Sequence, residues 1–162
     1  MLSIEIFVPR SADAAADRID ALLSDASAAG ASLVSISGPA NGASIQMARR
    51  VKAAGMKAQV QLEPAKLTAA EMSGFLDSAI DAGVGHLLLL GGDTANAVGT
   101  IKSRLGGSLN IAVCGFPRGS VDPTTTYEAA LQATRAQLAA GADSVLAMPV
   151  LEAASFELEV RC

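Results

Sequence analysis

The sequence predicts an α/β fold in which parallel strands are wrapped by outer helices. Six apolar runs begin near residues 2, 32, 57, 85, 109 and 143, and an alanine-rich stretch of helical period follows each run except the last, where the chain opens a further helix. In the first three runs, apolar and polar residues alternate, which gives each strand one apolar face and one polar face. A doubly wound sheet buries both faces, whereas the interior of a barrel can open into a ligand pocket. The pattern therefore predicts a TIM-barrel-type repeat, truncated at about six units, in a single domain over residues 1–162.

The predicted strands are short apolar segments bounded by turn residues. Pro9 ends the first strand, because proline lacks the N–H that a ladder needs. Ile4, Ile6 and Val8 share one face of that strand, and Glu5 lies on the other. The six strands are predicted at residues 2–8, 33–37, 56–62, 85–90, 109–116 and 144–150.

The predicted helices have recognisable start and stop signals. Thr68 followed three residues later by Glu71 is a capping box, and it predicts a helix that ends at Gly83. Ser11 is the expected cap of the first helix, which Gly30 stops. The other helices are predicted at residues 45–54, 94–105 and 125–140, and residues 151–162 open a sixth.

An eight-unit barrel needs two more units than the sequence supplies. Six strands in an open sheet leave the first and last strands with unpaired edges, which invites association. We therefore expect a homo-oligomer, or a heteromeric partner that completes the barrel. The alternative is that the sequence is a fragment that ends inside its sixth helix.

Composition narrows the classes of partner. The net charge is −4, with no cluster of lysine and arginine, which argues against nucleic acid and against an anionic membrane. No apolar run is long enough to span a bilayer, and the first residues lack the features of a signal peptide. The two cysteines form no disulfide framework and no metal spacing, so a reducing cytoplasmic setting is expected.

Glu5 is the first candidate for chemistry. It sits among Ile4, Ile6 and Phe7, and an unpaired carboxyl in apolar surroundings favours its neutral form. A neutral carboxyl near neutral pH suits a general acid. The alternative is a carboxylate that faces water or pairs with a lysine or arginine.

Asp93 is the second candidate. It follows Gly91 and Gly92 at the carboxyl end of the fourth strand, where parallel α/β folds place their chemistry. The alternative is that Asp93 only caps the next helix, and both roles are compatible. Arg10 and Arg118 lie at the same rim and suit an anion, although solvated loop arginines are more common.

Five segments, in order along the chain, together resemble methylenetetrahydrofolate reductase, a flavin- and folate-dependent TIM barrel. The first is SIEIFVPR at residues 3–10, which is similar to the family's S-F-E-F-F-P-P-R. The others are LVSIS with ANG at residues 33–42, the stretch 68–93 with its DAG, His86 and GGD, VCGFP at 113–117 and AAGAD at 139–143.

The resemblance implies roles for the matching positions. Glu5 becomes the general acid that helps open the imidazolidine ring of the folate, after which the iminium accepts hydride. Asp93 hydrogen-bonds the pterin near the flavin, and Ser37 keeps the hydroxyl of a flavin-contacting threonine. The implied substrate set is Glu5, Gln61, Asp93, Phe116 and Met148, and the implied cofactor set is Ser37, Asp93, Phe116 and Gln137.

The chain departs from the family at several of these positions. A histidine of the family is Gln61 here, a lysine is Gln137, a glutamine is Met148 and a tyrosine is Phe116. The folate-side carboxylates are thus kept while groups on the FAD side change. We expect either an oxidoreductase that reduces 5,10-methylenetetrahydrofolate with a weakened FAD site, or a non-catalytic folate-binding or partner subunit. A third expectation is a flavin-free reductase that takes hydride directly from NAD(P)H.

Overall fold

The structure is a computed structural model that describes residues 2–8, 16–91, 94–115 and 126–147. It has an α/β fold with six parallel strands, and the strands are hydrogen-bonded in sequence order from the first to the sixth. The strands are β1 Leu2–Phe7, β2 Ala31–Ser37, β3 Lys57–Leu62, β4 His86–Leu89, β5 Asn110–Gly115 and β6 Ser144–Ala147. The helices are α1 Ala16–Ala28, α2 Gly42–Ala53, α3 Ala69–Asp81, α4 Thr94–Leu105 and α5 Tyr127–Ala139. The predicted alternation of strand and helix is therefore confirmed.

The chain divides after Leu88 into two compact units. The first unit contains β1 to β3 with helices α1 to α3. Here β1 pairs with β2, and β2 with β3, in parallel; Glu5 lies opposite Ser35, and Ser35 opposite Gln59. The second unit contains α4, β5, α5 and β6, and β5 pairs with β6 in parallel.

The core of the first unit lies on the apolar face of its strands. Val34, Ile36 and Val60 are completely buried, and α2 covers both β2 and β3. Each such side chain contributes about 1.5–3 kcal/mol relative to remaining in water. The alternation therefore places Glu5 on the face opposite these buried side chains.

Two helix starts show how local sequence sets the boundaries. The capping box predicted at Thr68 is present, because its hydroxyl accepts from the Glu71 amide while the Glu71 carboxylate accepts from the Thr68 amide. Helix α2 begins three residues earlier than predicted, because the Asn41 side chain accepts a hydrogen bond from the Ala43 amide at 3.0 Å and caps it. The predicted cap at Ser11 and the predicted sixth helix at residues 151–162 lie outside the described residues.

Strand β2 also begins earlier than predicted, at Ala31. Gly30 has a backbone φ of +86°, and this left-handed conformation stops helix α1. The chain can therefore enter the sheet at once, and Ala31 pairs with Leu2 of β1.

Candidate functional site

The candidate site is a polar cluster on the face of β1, β2 and β3 that lies opposite Val34, Ile36 and Val60. Side chains that alternate with the buried ones point to this face, and Glu5, Ser35, Ser37 and Gln61 are among them. The sequence predicted this polar face, and the structure joins its members by hydrogen bonds.

Glu5 is the centre of the cluster. The Ser37 hydroxyl donates to Glu5 Oε1, and Gln61 Nε2 donates to the same oxygen at 2.9 Å. Gln61 Nε2 also lies 3.4 Å from Ser35 Oγ, so its amide spans two neighbouring strands. Both hydrogen bonds that Glu5 accepts from described residues end on Oε1, so Oε2 accepts none from the described part of the chain.

The environment of Glu5 differs from the one that its apolar neighbours suggest. The side chain is exposed and has two hydrogen-bond donors, so it is not the unpaired, desolvated carboxyl that the sequence predicts. Ile4 and Ile6 point to the opposite face, which is why they do not surround it. Within the described ranges, no lysine or arginine forms an ion pair with Glu5.

Ser37 is committed to Glu5. Its side chain is only 6% exposed, and its hydroxyl donates to the carboxylate. Because its proton goes to Glu5, the Ser37 hydroxyl can offer another group only its acceptor lone pairs. The flavin contact implied for Ser37 stays a prediction.

Gln137 lies in the second unit, on α5. Its Nε2 donates to the hydroxyl of Thr94, the first residue of α4, while its Oε1 is buried without a hydrogen-bond partner among the described residues. The position that the resemblance aligns with a lysine thus presents a carbonyl acceptor instead of a cation. The role in flavin binding that the resemblance implies for Gln137 stays a prediction.

The remaining candidates fall outside what the structure describes. Asp93, Phe116 and Met148 are not among the described residues, and neither are Arg10 and Arg118. Their predicted roles in binding folate, a cofactor or an anion stay predictions.

Outside this cluster, the described residues form a groove, and they offer neither a metal site nor a membrane-spanning helix. A shallow groove of about 680 Å³ runs along one face of α4, lined by Ala95, Asn96, Gly99, Thr100, Ser103 and Arg104. Its lining offers one charged side chain and contains none of the predicted candidates. The described ranges contain no group of three His, Cys, Asp or Glu side chains placed to hold a metal ion, and no helix long and apolar enough to cross a membrane.

Two residues of this face, Ser35 and Phe7, are not among the site residues predicted from the sequence. Ser35 touches Gln61, and Phe7, which lies two residues beyond Glu5 on the same face of β1, is 73% exposed. The alternation that placed Glu5 on this face places Phe7 there as well, so strand parity was the available signal.

Comparisons with known proteins bear on the fold. No family model and no curated protein matches the chain. The spore cortex-lytic enzyme SleL of Bacillus cereus is a similar solved structure, with a TM-score of 0.57 and 10% identity over 91% of this chain and 41% of that one. The glycerol uptake operon antiterminator regulatory protein of Listeria monocytogenes matches with a TM-score of 0.51 and 13% identity over 95% of this chain and 84% of that one. The chain thus spans about two fifths of the enzyme's length, and at these identities the likeness extends to the fold alone.

Proposed function

We propose that this chain binds a tetrahydrofolate derivative on the polar face of β1 to β3, as a folate-binding relative of methylenetetrahydrofolate reductase without a tight flavin site. The observation that carries the proposal is the Glu5 carboxylate, exposed on that face with one oxygen held by Ser37 and Gln61. A carboxylate oriented in this way can accept a hydrogen bond from a ring N–H or an amino group of a pterin. The segments around Glu5 and Ser37 are also those that resemble the reductase family.

The engagement of Ser37 and Gln137 by protein groups favours binding without flavin. On the implied folate side, Glu5 keeps a carboxylate oxygen that accepts no hydrogen bond from a described residue, whereas the two described residues of the implied flavin side donate hydrogen bonds to other protein groups. The absorption spectrum of the purified protein tests this part of the proposal. A stoichiometric flavin spectrum would contradict it.

A second candidate function is reduction of 5,10-methylenetetrahydrofolate with hydride taken directly from NAD(P)H. The observation that favours it is Glu5 Oε2, which accepts no hydrogen bond from a described residue and so can face the substrate. In this function the carboxyl would pass a proton to the folate nitrogen as the carbon–nitrogen bond of the imidazolidine ring breaks, and hydride from NAD(P)H would then add to the iminium carbon to give the 5-methyl product. Oxidation of NAD(P)H that depends on the folate separates this function from binding alone.

Calorimetric titration with tetrahydrofolate tests the first proposal. The native chain should bind, and Glu5→Gln, which keeps the shape and removes the charge, should bind at least tenfold more weakly. Glu128→Gln is the matched control, since Glu128 lies exposed in the first turn of α5 in the other unit. Equal affinity of native and Glu5→Gln chains would remove the role proposed for Glu5, and absence of binding to the native chain would remove the function.

We also propose that the six units form part of a TIM-type barrel, completed by self-association or by a partner. Strands β1 and β6 stand at the two ends of the strand order, and each carries an exposed leucine, Leu2 at 50% and Leu146 at 49%. Unpaired strand edges with exposed apolar side chains favour association. Sedimentation over a range of concentrations tests this, and a monomer at every concentration would contradict self-association.

A further inference from the structure

Phe7 is an unusual residue for this chain to expose. The sequence has only four phenylalanines, one tyrosine and no tryptophan, so aromatic side chains are scarce. Phe75, on α3, is 6% exposed, whereas Phe7 is 73% exposed. Burying a phenylalanine is worth about 1.5–3 kcal/mol, so folding stability gives no reason to leave this one in water.

The backbone on both sides holds Phe7 in place. Phe7 lies opposite Ser37 in the β1–β2 register, and the next amide, that of Val8, donates to the Ser37 carbonyl at 2.8 Å. Gly38 lets Val8 approach closely, because a Cβ at Gly38 would lie 2.9 Å from the Val8 side chain. The Phe7 side chain therefore extends from a strand end whose backbone is paired with β2.

The ring and the carboxylate of Glu5 share one face. Residues two apart in a strand point the same way, with Cα atoms about 7 Å apart. That spacing matches the width of a two-ring heterocycle. A ring stacked on Phe7 can therefore bring its polar edge to the open Oε2 of Glu5.

We propose that Phe7 is a binding residue that stacks against the pterin ring of the ligand while Glu5 Oε2 receives the nitrogen-bearing edge of that ring. The inference rests on the proposed folate-binding function and adds a contact to it. Stacking supplies affinity that does not depend on charge, and the hydrogen bond to Glu5 fixes the orientation of the ring. The ligand class is therefore a planar nitrogen heterocycle.

A tryptophan probe tests the stacking directly. The chain contains no tryptophan, so Phe7→Trp introduces a single indole at the proposed contact. Leu2→Trp is the matched control, since Leu2 is 50% exposed on the same strand, about 17 Å from position 7. Tetrahydrofolate and free pterin should quench the indole in Phe7→Trp and leave that in Leu2→Trp unchanged after correction for absorbance, and p-aminobenzoylglutamate should quench neither.

A second variant measures the contribution of the ring. Phe7→Leu keeps an apolar side chain and removes the aromatic face, so it should weaken tetrahydrofolate binding by about tenfold. Circular dichroism and the melting temperature should match those of the native chain, because the side chain is exposed.

The outcomes distinguish this inference from the proposed function. If the native chain binds tetrahydrofolate, but Phe7→Trp shows no quenching and Phe7→Leu keeps full affinity, the stacking role is wrong and folate binding stands. If free pterin quenches the probe while the native chain does not bind tetrahydrofolate, stacking stands and the folate function falls. If no pterin compound binds or quenches, both are overturned.

Discussion

Asp143 connects three elements of the second unit, and its removal should cost more stability than the loss of an ordinary surface ion pair. Its Oδ2 accepts a hydrogen bond from Lys102 Nζ at 2.6 Å and another from the Ile111 amide at 2.7 Å. Its own amide donates to the Ile111 carbonyl at 2.8 Å. The residue just before β6 is therefore joined to β5 and, through Lys102, to α4.

The expected magnitude follows from these contacts. A hydrogen bond between a charged group and a backbone amide contributes about 1.5–3 kcal/mol, and a partly exposed ion pair adds about 0–1 kcal/mol. The Lys102 and Asp143 side chains are 20% and 35% exposed, so solvent screening places the total near the lower end of that sum. Asp143→Ala should therefore cost about 2 kcal/mol, which lowers the melting temperature of a chain of this size by about 4–8 °C.

The effect should depend on pH. Burial raises the pKa of Asp143, but the hydrogen bonds from Lys102 and the Ile111 amide and the charge of Lys102 together outweigh burial and hold the pKa below its ordinary value. The unfolded chain then binds this proton more readily than the folded one, so the stabilisation is complete above the unfolded pKa of about 3.9 and is lost as the pH falls through the folded pKa. The difference between native and Asp143→Ala chains should be constant near neutral pH and should shrink below about pH 4.

Urea unfolding followed by circular dichroism measures these differences. Asp20→Ala is the control, because Asp20 pairs with Arg50 at 2.8 Å across α1 and α2 with side chains 58% and 40% exposed, and it accepts no hydrogen bond from the backbone amide of a described residue. Its loss should cost well under 1 kcal/mol. The reasoning is refuted if Asp143→Ala costs no more than Asp20→Ala, or if its cost does not change between pH 7 and pH 3.

Three further predictions concern single positions in the described ranges. Gly83→Ala should destabilise the chain by about 1–2 kcal/mol, because Gly83 adopts φ +68°, which an alanine tolerates poorly. The control Gly74→Ala, on the open surface of α3, should be neutral or stabilising. Equal urea midpoints of the two variants would contradict this prediction. Gly38→Ala should cost about 1–3 kcal/mol, because its Cβ would overlap Val8 at 2.9 Å, and it should weaken tetrahydrofolate binding by displacing the end of β1; unchanged stability and affinity would refute the close approach. Burial raises the pKa of the Cys114 thiol, so this thiol should react slowly with a thiol reagent in the folded chain and rapidly in urea. The rates are measured in a variant whose other cysteine is replaced by serine. Equal rates in the two conditions would be inconsistent with the burial of Cys114.

Local chemistry made most of the fold predictable from the sequence. Alternating residues identified the faces of β1 to β3, and the Thr68–Glu71 pair identified the start of α3, because both signals lie within a few adjacent residues. The start of α2 was placed too late, because the cap at Asn41 lies outside the apolar pattern that marked the helix. A polar side chain that caps a helix is not part of the periodic apolar pattern, so that pattern by itself does not locate the start of the helix.

The partners in the candidate site were less predictable. Strand parity placed Glu5, Ser37 and Gln61 on one face, and the family resemblance implied a cofactor role for Ser37 and a substrate role for Gln61, but neither predicted that both donate to Glu5. Their hydrogen bonds to Glu5 join residues that are 32 and 56 positions apart in the chain. Such pairs are set by the register between strands, which parity within a single strand does not specify.

The polar face of β1 to β3 is the feature that stability alone does not explain. A sheet that serves only to pack gains more from apolar side chains, and buried polar groups such as Ser37 and Gln59 must be satisfied by hydrogen bonds or cost free energy. Here the hydrogen bonds of Ser37 and Gln61 converge on one carboxylate, and that carboxylate and the nearby Phe7 ring are both left exposed. Positions that break the packing pattern while satisfying one another mark sites under a different requirement. The proposed ligand, stacked on Phe7 and bonded to Glu5, would meet that requirement, because it would bury the ring and pair the carboxylate oxygen that accepts no hydrogen bond from a described residue.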